Sequence, residues 1–161
     1  MKNKPPKALL LFSGGLDSLL AGEILRRNNV QITWLTFTTP FFSAEKSVSA
    51  ARLYNFPLII APLPEKAYIN ILINPPHGFG KHMNPCIDCH ALMLKVAGQM
   101  MEERGYDFLA TGEVLGERPK SQTSAALRMV DAASGYADYI LRPLSAKLLP
   151  ATAPEREGLV N

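Results

Sequence analysis

Five consecutive apolar residues, Ala8 to Phe12, run into Ser13-Gly14-Gly15, and helical spacing begins at once with Leu16, Leu19, Leu20, Ile24 and Leu25. A short unbroken apolar run is the pattern of a strand buried on both faces. The same strand-then-helix alternation continues down the chain. Val30 to Phe37 is β-branched and aromatic and predicts a second strand, Ser43 to Tyr54 a second helix, and Pro57 to Ala61 a third strand. Glu65 to Ile73 has a weaker helical pattern. Ile87 to Arg104 is the strongest helix signal and ends at Gly105. Asp107 to Thr111 predicts a fourth strand, Thr123 to Ala133 a helix stopped by Gly135, and Tyr139 to Leu141 a short last strand.

Strands that alternate with helices build a parallel sheet with right-handed crossovers. The expected fold class is therefore α/β, a doubly wound parallel sheet with helices on both faces. In such sheets ligands sit beyond the carboxyl ends of the strands. Three segments fall there: Ser13 to Ser18, Phe37 to Pro40, and Thr111 to Glu113. One crevice is able to hold all three.

The chain has 161 residues, enough for one domain and not two. We expect that domain to span residues 1–150, with 151–161, which has no periodicity, as a tail. No apolar run approaches the roughly 20 residues needed to cross a bilayer. The basic start, MKNKPPK, is followed by no signal-peptide pattern, so the expectation is a cytoplasmic protein without a membrane partner. Residues 1–80 carry 8 Lys and Arg against 4 Asp and Glu, and residues 81–161 carry 9 against 10. The modest excess of positive charge in the front half is compatible with a polyanionic partner but does not demand nucleic acid.

SGGLDS, Ser13 to Ser18, is the sharpest signal. Gly14 and Gly15 let the backbone turn tightly and come close to a ligand. Free N–H groups then converge at the positive end of the following helix, and Ser13 and Ser18 add hydroxyls, which makes an anion site of phosphate or pyrophosphate size. Asp17 is expected either to cap the helix or to bring Mg²⁺ to the phosphates. Walker A is absent: the Gly80-Lys81 pair is followed by His82, and Pro75 stands where the first glycine belongs. GxGxxG is also absent after the first strand. The alternative is a plain strand-to-helix turn with a serine cap.

With these residues on the page, SGGLDS resembles the SGGxDS signature of the PP-loop ATP pyrophosphatases, a family of the HUP class (adenine nucleotide alpha hydrolase-like). The resemblance implies that Ser13, Gly14, Gly15, Asp17 and Ser18 grip the pyrophosphate end of ATP. It also implies that AMP is joined to a substrate oxygen as pyrophosphate leaves, and that the stretch at Thr36 and Phe37 flanks adenine. For Phe37 a core aromatic at a strand end is the competing reading.

Residues 74–85, NPPHGFGKHMNP, form a proline- and glycine-rich loop long enough to suspect function. It leads into NPCIDCH, Asn84 to His90. Cys86 and Cys89 share one face if both lie in the first turn of the long helix. A helix N-terminus favours thiolate, so either is a candidate nucleophile and the two are a candidate redox pair. Zn²⁺ is a further option, with His77, His82 or His90 completing the set. Two buried small residues are the plain alternative. CxxCH also matches c-type haem attachment, which the lack of an export signal disfavours.

The order Asn84-Pro85-Cys86-x-x-Cys89, helix, strand, Ala110-Thr111-Gly112 resembles tRNA 2-thiouridylases, whose order is NP[DC]xxCN, helix, strand, ATGH. The resemblance implies that Cys89 takes sulfur or attacks the activated system, with Cys86 at the position that is commonly aspartate, and that Gly112 belongs to the nucleotide site. Gln122 resembles a glutamine at similar distance in those enzymes. The chain departs at His90 and Glu113. Those enzymes are also much longer, with further tRNA-binding domains and another cysteine.

Other residues have plainer readings. Arg118, Lys120 and Arg128 suit either tRNA phosphates or a solvated charged face. Arg142 suits phosphate or a surface ion pair, His77 and His82 are loop histidines, and Met93, Met100 and Met101 are core packing.

The expected activity is ATP-dependent activation of a tRNA uridine, forming AMP and pyrophosphate, followed by sulfur transfer through Cys89 with Cys86 resolving the disulfide. The expected cofactors are ATP and Mg²⁺, with Zn²⁺ or an iron–sulfur cluster at Cys86 and Cys89 if a further ligand is supplied. The expected partners are tRNA, a sulfur-donor protein or persulfide source, and a further C-terminal domain or partner chain. The rival functions are another AMP-forming PP-loop ligase or nucleobase-modifying synthase, and a nucleotide-binding module that does no chemistry itself.

Overall fold

The computed structural model describes residues 4–79 and 85–161. Five strands form one sheet: β1 (Lys7–Leu11), β2 (Gln31–Thr38), β3 (Leu58–Pro62), β4 (Phe108–Ala110) and β5 (Ile140–Leu141). Their order is β3-β2-β1-β4-β5, and every pairing is parallel. The helices are α1 (Leu16–Arg27), α2 (Glu45–Tyr54), α3 (Glu65–Ile73), α4 (Cys86–Arg104), α5 (Ser124–Ser134) and the single turn α6 (Ala153–Arg156). The fold is the α/β doubly wound parallel sheet expected from the sequence.

The pleat sorts the core into two layers, because successive side chains leave a strand on opposite faces. Ala8, Leu10, Trp34 and Phe108 meet Ala21 and Leu25 of α1 and Ala51 of α2 on one face. Leu9, Leu35, Leu109 and Ile140 meet Tyr68 of α3, Leu94, Ala97 and Met101 of α4, and Val130 of α5 on the other. Strands buried on both sides must be apolar throughout, which is why Ala8 to Phe12 has no alternation. Trp34 lies stacked between Phe12 and Phe56, with ring centroids at 3.6 and 4.3 Å. Gly98 of α4 lies under Tyr136, just past the end of α5, and any side chain there would meet the Tyr136 ring at 2.2 Å.

The stretch read as a tail without periodicity packs onto the domain. Thr152 and Glu155 form a capping box around α6, Ala153 and Pro154 are buried, and Val160 joins the core layer of α1. A single turn is too short to show helical periodicity, although Thr-x-x-Glu is itself a helix-start signal. Among the described residues no helix is long and apolar enough to cross a membrane.

β2 and β3 lie to one side of β1, and β4 and β5 to the other. The chain reverses its winding between β1 and β4, and the crevice of such a sheet opens at that point.

Candidate functional site

A cavity of about 430 Å³ opens beyond the carboxyl ends of β1, β2 and β4. Ser13, Asp17 and Ser18 of the glycine loop line it, with Thr36 and Phe37 of β2, Thr111 to Glu113 after β4, and His90 and Met93 of α4. Of the three segments expected to share one crevice, Ser13 to Ser18 contributes Ser13, Asp17 and Ser18, Thr111 to Glu113 contributes all three residues, and Phe37 to Pro40 contributes Phe37 alone.

Gly15 is the N-cap residue of α1, and no side chain caps that helix. Asp17 therefore sits inside the first turn as an acidic residue facing the cavity and is not the cap. Gly14 has φ +78, in the left-handed region that suits glycine. The loop is tied by its own serines: the Gly15 N–H donates to Ser13 Oγ at 3.3 Å, and Ser18 Oγ donates to the Gly15 carbonyl at 3.1 Å. The Phe12 carbonyl accepts from Thr36 Oγ1 at 2.7 Å and from Ser47 Oγ at 3.5 Å, which joins the ends of β1 and β2 to α2.

That tie to α2 brings in a residue the sequence reading missed. Lys46 lines the cavity and lies against Gly14, whose added Cβ would stand 2.8 Å from Lys46 Cγ. No sequence signal marks it, since an exposed lysine in a first helical turn looks like any solvated one. Arg118 also lines the cavity, whereas Arg128 lines a separate depression near α5. The cavity thus combines loop hydroxyls, a helix N-terminus, Lys46 and Arg118 with the carboxylate of Asp17. This set suits a polyphosphate with a divalent cation.

Gly112 lines the cavity but is also a packing residue. A Cβ there would meet the Ser18 backbone nitrogen at 2.5 Å. Phe37 is buried in the sheet's α4 layer, as the core reading expected, and it also lines the cavity.

Arg142 is neither a phosphate ligand nor a surface ion pair, being buried with 4% exposure. Its guanidinium grips Asp131 at 3.0 and 2.6 Å and donates through Nε to Glu113 Oε2 at 2.8 Å. Thr111 Oγ1 donates to the same Glu113 oxygen at 2.9 Å, and His90 Nδ1 lies 3.3 Å from Glu113 Oε1. Burial pushes the Glu113 carboxyl up, but His90, Arg142 and Thr111 together hold it down at about 2. Burial raises Asp131 above the usual range against its bonds from Arg142. The two departures from the thiouridylase pattern, His90 and Glu113, therefore touch each other.

Cys86 and Cys89 are free, half-buried thiols in the first turn of α4, and neither lines the cavity. The expectation of a thiolate favoured by the helix terminus is corrected for Cys89. Burial, with Cys86 and Asp88 adding to it, raises its thiol to about 11. Its side chain packs against the apolar layer of α4, and desolvation outweighs the helix terminus. Asp88, between the cysteines, accepts from His77 N at 2.9 Å and from His77 Nδ1 at 2.7 Å, so this loop histidine pins the loop to α4. His82 and Asn84 lie outside the described residues. Among the described residues no group of three or more His, Cys, Asp or Glu side chains is arranged to hold a metal ion.

A doubly wound sheet with the Ser13–Ser18 glycine loop beside the cavity at its switch point defines a domain of the PP-loop class. Residues 4–147 match the family described as "Thiamine biosynthesis protein (ThiI)", and the chain belongs to that family. It is 31% identical over 147 residues to a probable tRNA sulfurtransferase of Lysinibacillus sphaericus, a match covering 86% of this chain and 34% of that protein. It is 30% identical over 157 residues to a tRNA sulfurtransferase of Desulfurococcus amylolyticus, covering 86% of this chain and 29% of the relative. The chain thus spans about a third of the length of these relatives. A solved 4-thiouridine synthetase in complex with RNA and bound ATP is similar with TM-score 0.66 and 26% identity, over 86% of this chain and 36% of that one. The fold also resembles a predicted subunit of tRNA methyltransferase from Methanocaldococcus jannaschii, with TM-score 0.61, 19% identity, and 86% and 69% of the two chains covered.

Proposed function

We propose that this chain uses ATP to activate a tRNA uridine for sulfur transfer, releasing AMP and pyrophosphate. The observation that carries the reading is the Ser13–Ser18 loop at the α1 terminus, facing one cavity with Lys46, Arg118 and His90. Relatives named tRNA sulfurtransferases, and a similar structure holding RNA and ATP, support the same reading.

The backbone of the glycine loop, with Ser13 and Ser18, holds the phosphates that become pyrophosphate, and Lys46 offsets their charge. The Phe37 edge and Gly112 border the nucleoside end. Asp17 is the cavity carboxylate suited to Mg²⁺, which when bound neutralises charge on the leaving group. Activation is needed because a carbonyl oxygen is a poor leaving group, whereas AMP departs readily.

Cys89 then takes sulfane sulfur from a persulfide donor, releasing the donor's thiol, and its outer sulfur attacks the activated carbon as AMP leaves. Cys86, one turn earlier, attacks the Cys89 sulfur, freeing the thiocarbonyl and leaving a Cys86–Cys89 disulfide that an external thiol reduces. A high thiol value for Cys89 keeps it protonated until a donor protein or persulfide source engages it. A zinc ion or cluster at this pair would need further ligands from outside the described residues. The remaining two thirds of the relatives' length is where a tRNA-binding domain or partner chain belongs. Such a protein works in the cytoplasm, where tRNA is modified.

The test uses anaerobic protein, bulk tRNA, ATP, Mg²⁺ and a small-molecule persulfide, with mass spectrometry of the digested tRNA. The account predicts a thionucleoside that requires ATP. Cys89→Ser should abolish it while AMP still forms. AMP formation without any thionucleoside would instead favour another AMP-forming synthase. Thiolation retained in Cys89→Ser would remove that cysteine from the reaction.

A further inference from the structure

We propose that His90 is the proton acceptor of the activation step, and that Glu113 is the residue that positions it. This rests on the function proposed above and adds to it an assignment for the proton that adenylation releases.

His90 lines the same cavity as the glycine loop and is the one imidazole among its described lining residues. Its Nδ1 lies 3.3 Å from Oε1 of Glu113. Glu113 is 7% exposed, and its other oxygen is taken by Arg142 Nε and by the Thr111 hydroxyl. Arg142 is locked in turn onto Asp131. A chain of fixed contacts therefore runs from α5 through β5 and the end of β4 to α4. Glu113 is ionised at neutral pH, so it can only accept a hydrogen bond. The hydrogen of a neutral His90 ring therefore sits on Nδ1, and Nε2 keeps its lone pair. The His90 side chain is 43% exposed, so a proton it accepts has a route to solvent.

The other ionisable groups of the cavity are less suited to the task. Glu113 is turned to Arg142, and Lys46 and Arg118 carry no lone pair as cations. Asp17 belongs to the phosphate loop.

The step balances as follows. The uridine carbonyl oxygen forms a bond to the α-phosphorus of ATP, and the bond from that phosphorus to pyrophosphate breaks. The ring N–H beside the carbonyl loses its proton to His90 Nε2, and its electron pair becomes the C=N bond of an O-adenylyl imidate, whose ring is neutral and whose phosphodiester keeps one negative charge. His90 then releases the proton to water, and nothing is oxidised or reduced.

The test measures tRNA-dependent AMP formation under saturating ATP, with ATP affinity determined separately by equilibrium binding of labelled ATP. His90→Ala removes a half-exposed side chain. The proposal predicts a fall in kcat of about 10²- to 10⁴-fold, the range for loss of a general base. It also predicts ATP affinity within about threefold of the wild type and partial recovery of kcat with added imidazole. Glu113→Gln should lower kcat by about tenfold in the wild-type background and by nothing further in the His90→Ala background, since the two act as a unit. A His90→Ala chain with kcat within threefold of wild type would overturn the proposal. A loss confined to ATP affinity and not recovered by imidazole would do the same. A wild-type chain that makes no tRNA-dependent AMP overturns the proposed function itself, and this assignment with it.

Discussion

The backbone of Ser18 covers Gly112 so closely that a β-carbon on Gly112 would stand 2.5 Å from the Ser18 nitrogen and 2.6 Å from its Cα. The segment after β4 is thereby pressed onto the first turn of α1, the turn proposed to hold the phosphates. Both partners in the contact are backbone, so neither can swing aside.

Gly112→Ala is therefore expected to displace the start of α1. Overpacking of this kind costs about 1–3 kcal/mol, and ATP affinity should fall at least tenfold. Gly98→Ala is the control. It collides with the Tyr136 ring between α4 and α5, away from the cavity. It should lower thermal stability by a similar amount and leave ATP affinity unchanged. Equal effects of both variants on ATP binding would contradict the role given to Gly112.

Arg142 holds one buried carboxylate, Glu113, and one partly buried, Asp131, and truncating it strands both. Arg142→Ala should cost about 3–5 kcal/mol in denaturant unfolding, as for other buried pairs that lose one partner. A loss below about 1 kcal/mol would place the residue among surface ion pairs, contrary to its burial.

The Glu113 carboxyl sits at about 2 in the fold against an ordinary 4.5. Its ionised form stabilises the native state at neutral pH, and that stabilisation fades as pH falls from about 4.5 towards 2. Asp131 is raised, so it acts in the opposite sense and returns part of the loss on acidification. Urea midpoints measured from pH 6 down to pH 3 should fall in the wild type and flatten in Glu113→Gln. Parallel curves would show that Glu113 does not govern the acid limb.

With its thiol at about 11, Cys89 has roughly one thiolate in a thousand molecules at pH 8. In a Cys86→Ser background, alkylation by iodoacetamide should be slow and should rise about tenfold per pH unit from 7 to 9, with no plateau. A plateau below pH 8 would mean that the helix terminus prevails over burial after all.

The strands and long helices were legible because each buried strand is an apolar run bounded by glycine, proline or asparagine. The glycine loop between β1 and α1 was legible as a cavity-lining turn because its glycines and hydroxyls are contiguous, Ser13 to Ser18. Three features were not. Glu113, Asp131 and Arg142 look like ordinary surface charges until β4 and β5 pair and bring them into one cluster in which Glu113 and Arg142 are buried. Lys46 gains meaning only when α2 swings over Gly14, a contact of residues 32 apart. Cys89 obeys two opposed rules, helix terminus and burial, and periodicity alone does not say how far its thiol sinks toward the apolar layer of α4.

The central claim is that the glycine loop supports AMP-forming chemistry on tRNA. The direct measurement combines anaerobically purified protein, Mg²⁺, bulk tRNA and ATP labelled at the α-phosphate, with separation of the nucleotide products. The account predicts labelled AMP with matching pyrophosphate, formed only when tRNA is present. Labelled ADP, or AMP that forms equally well without tRNA, would contradict it.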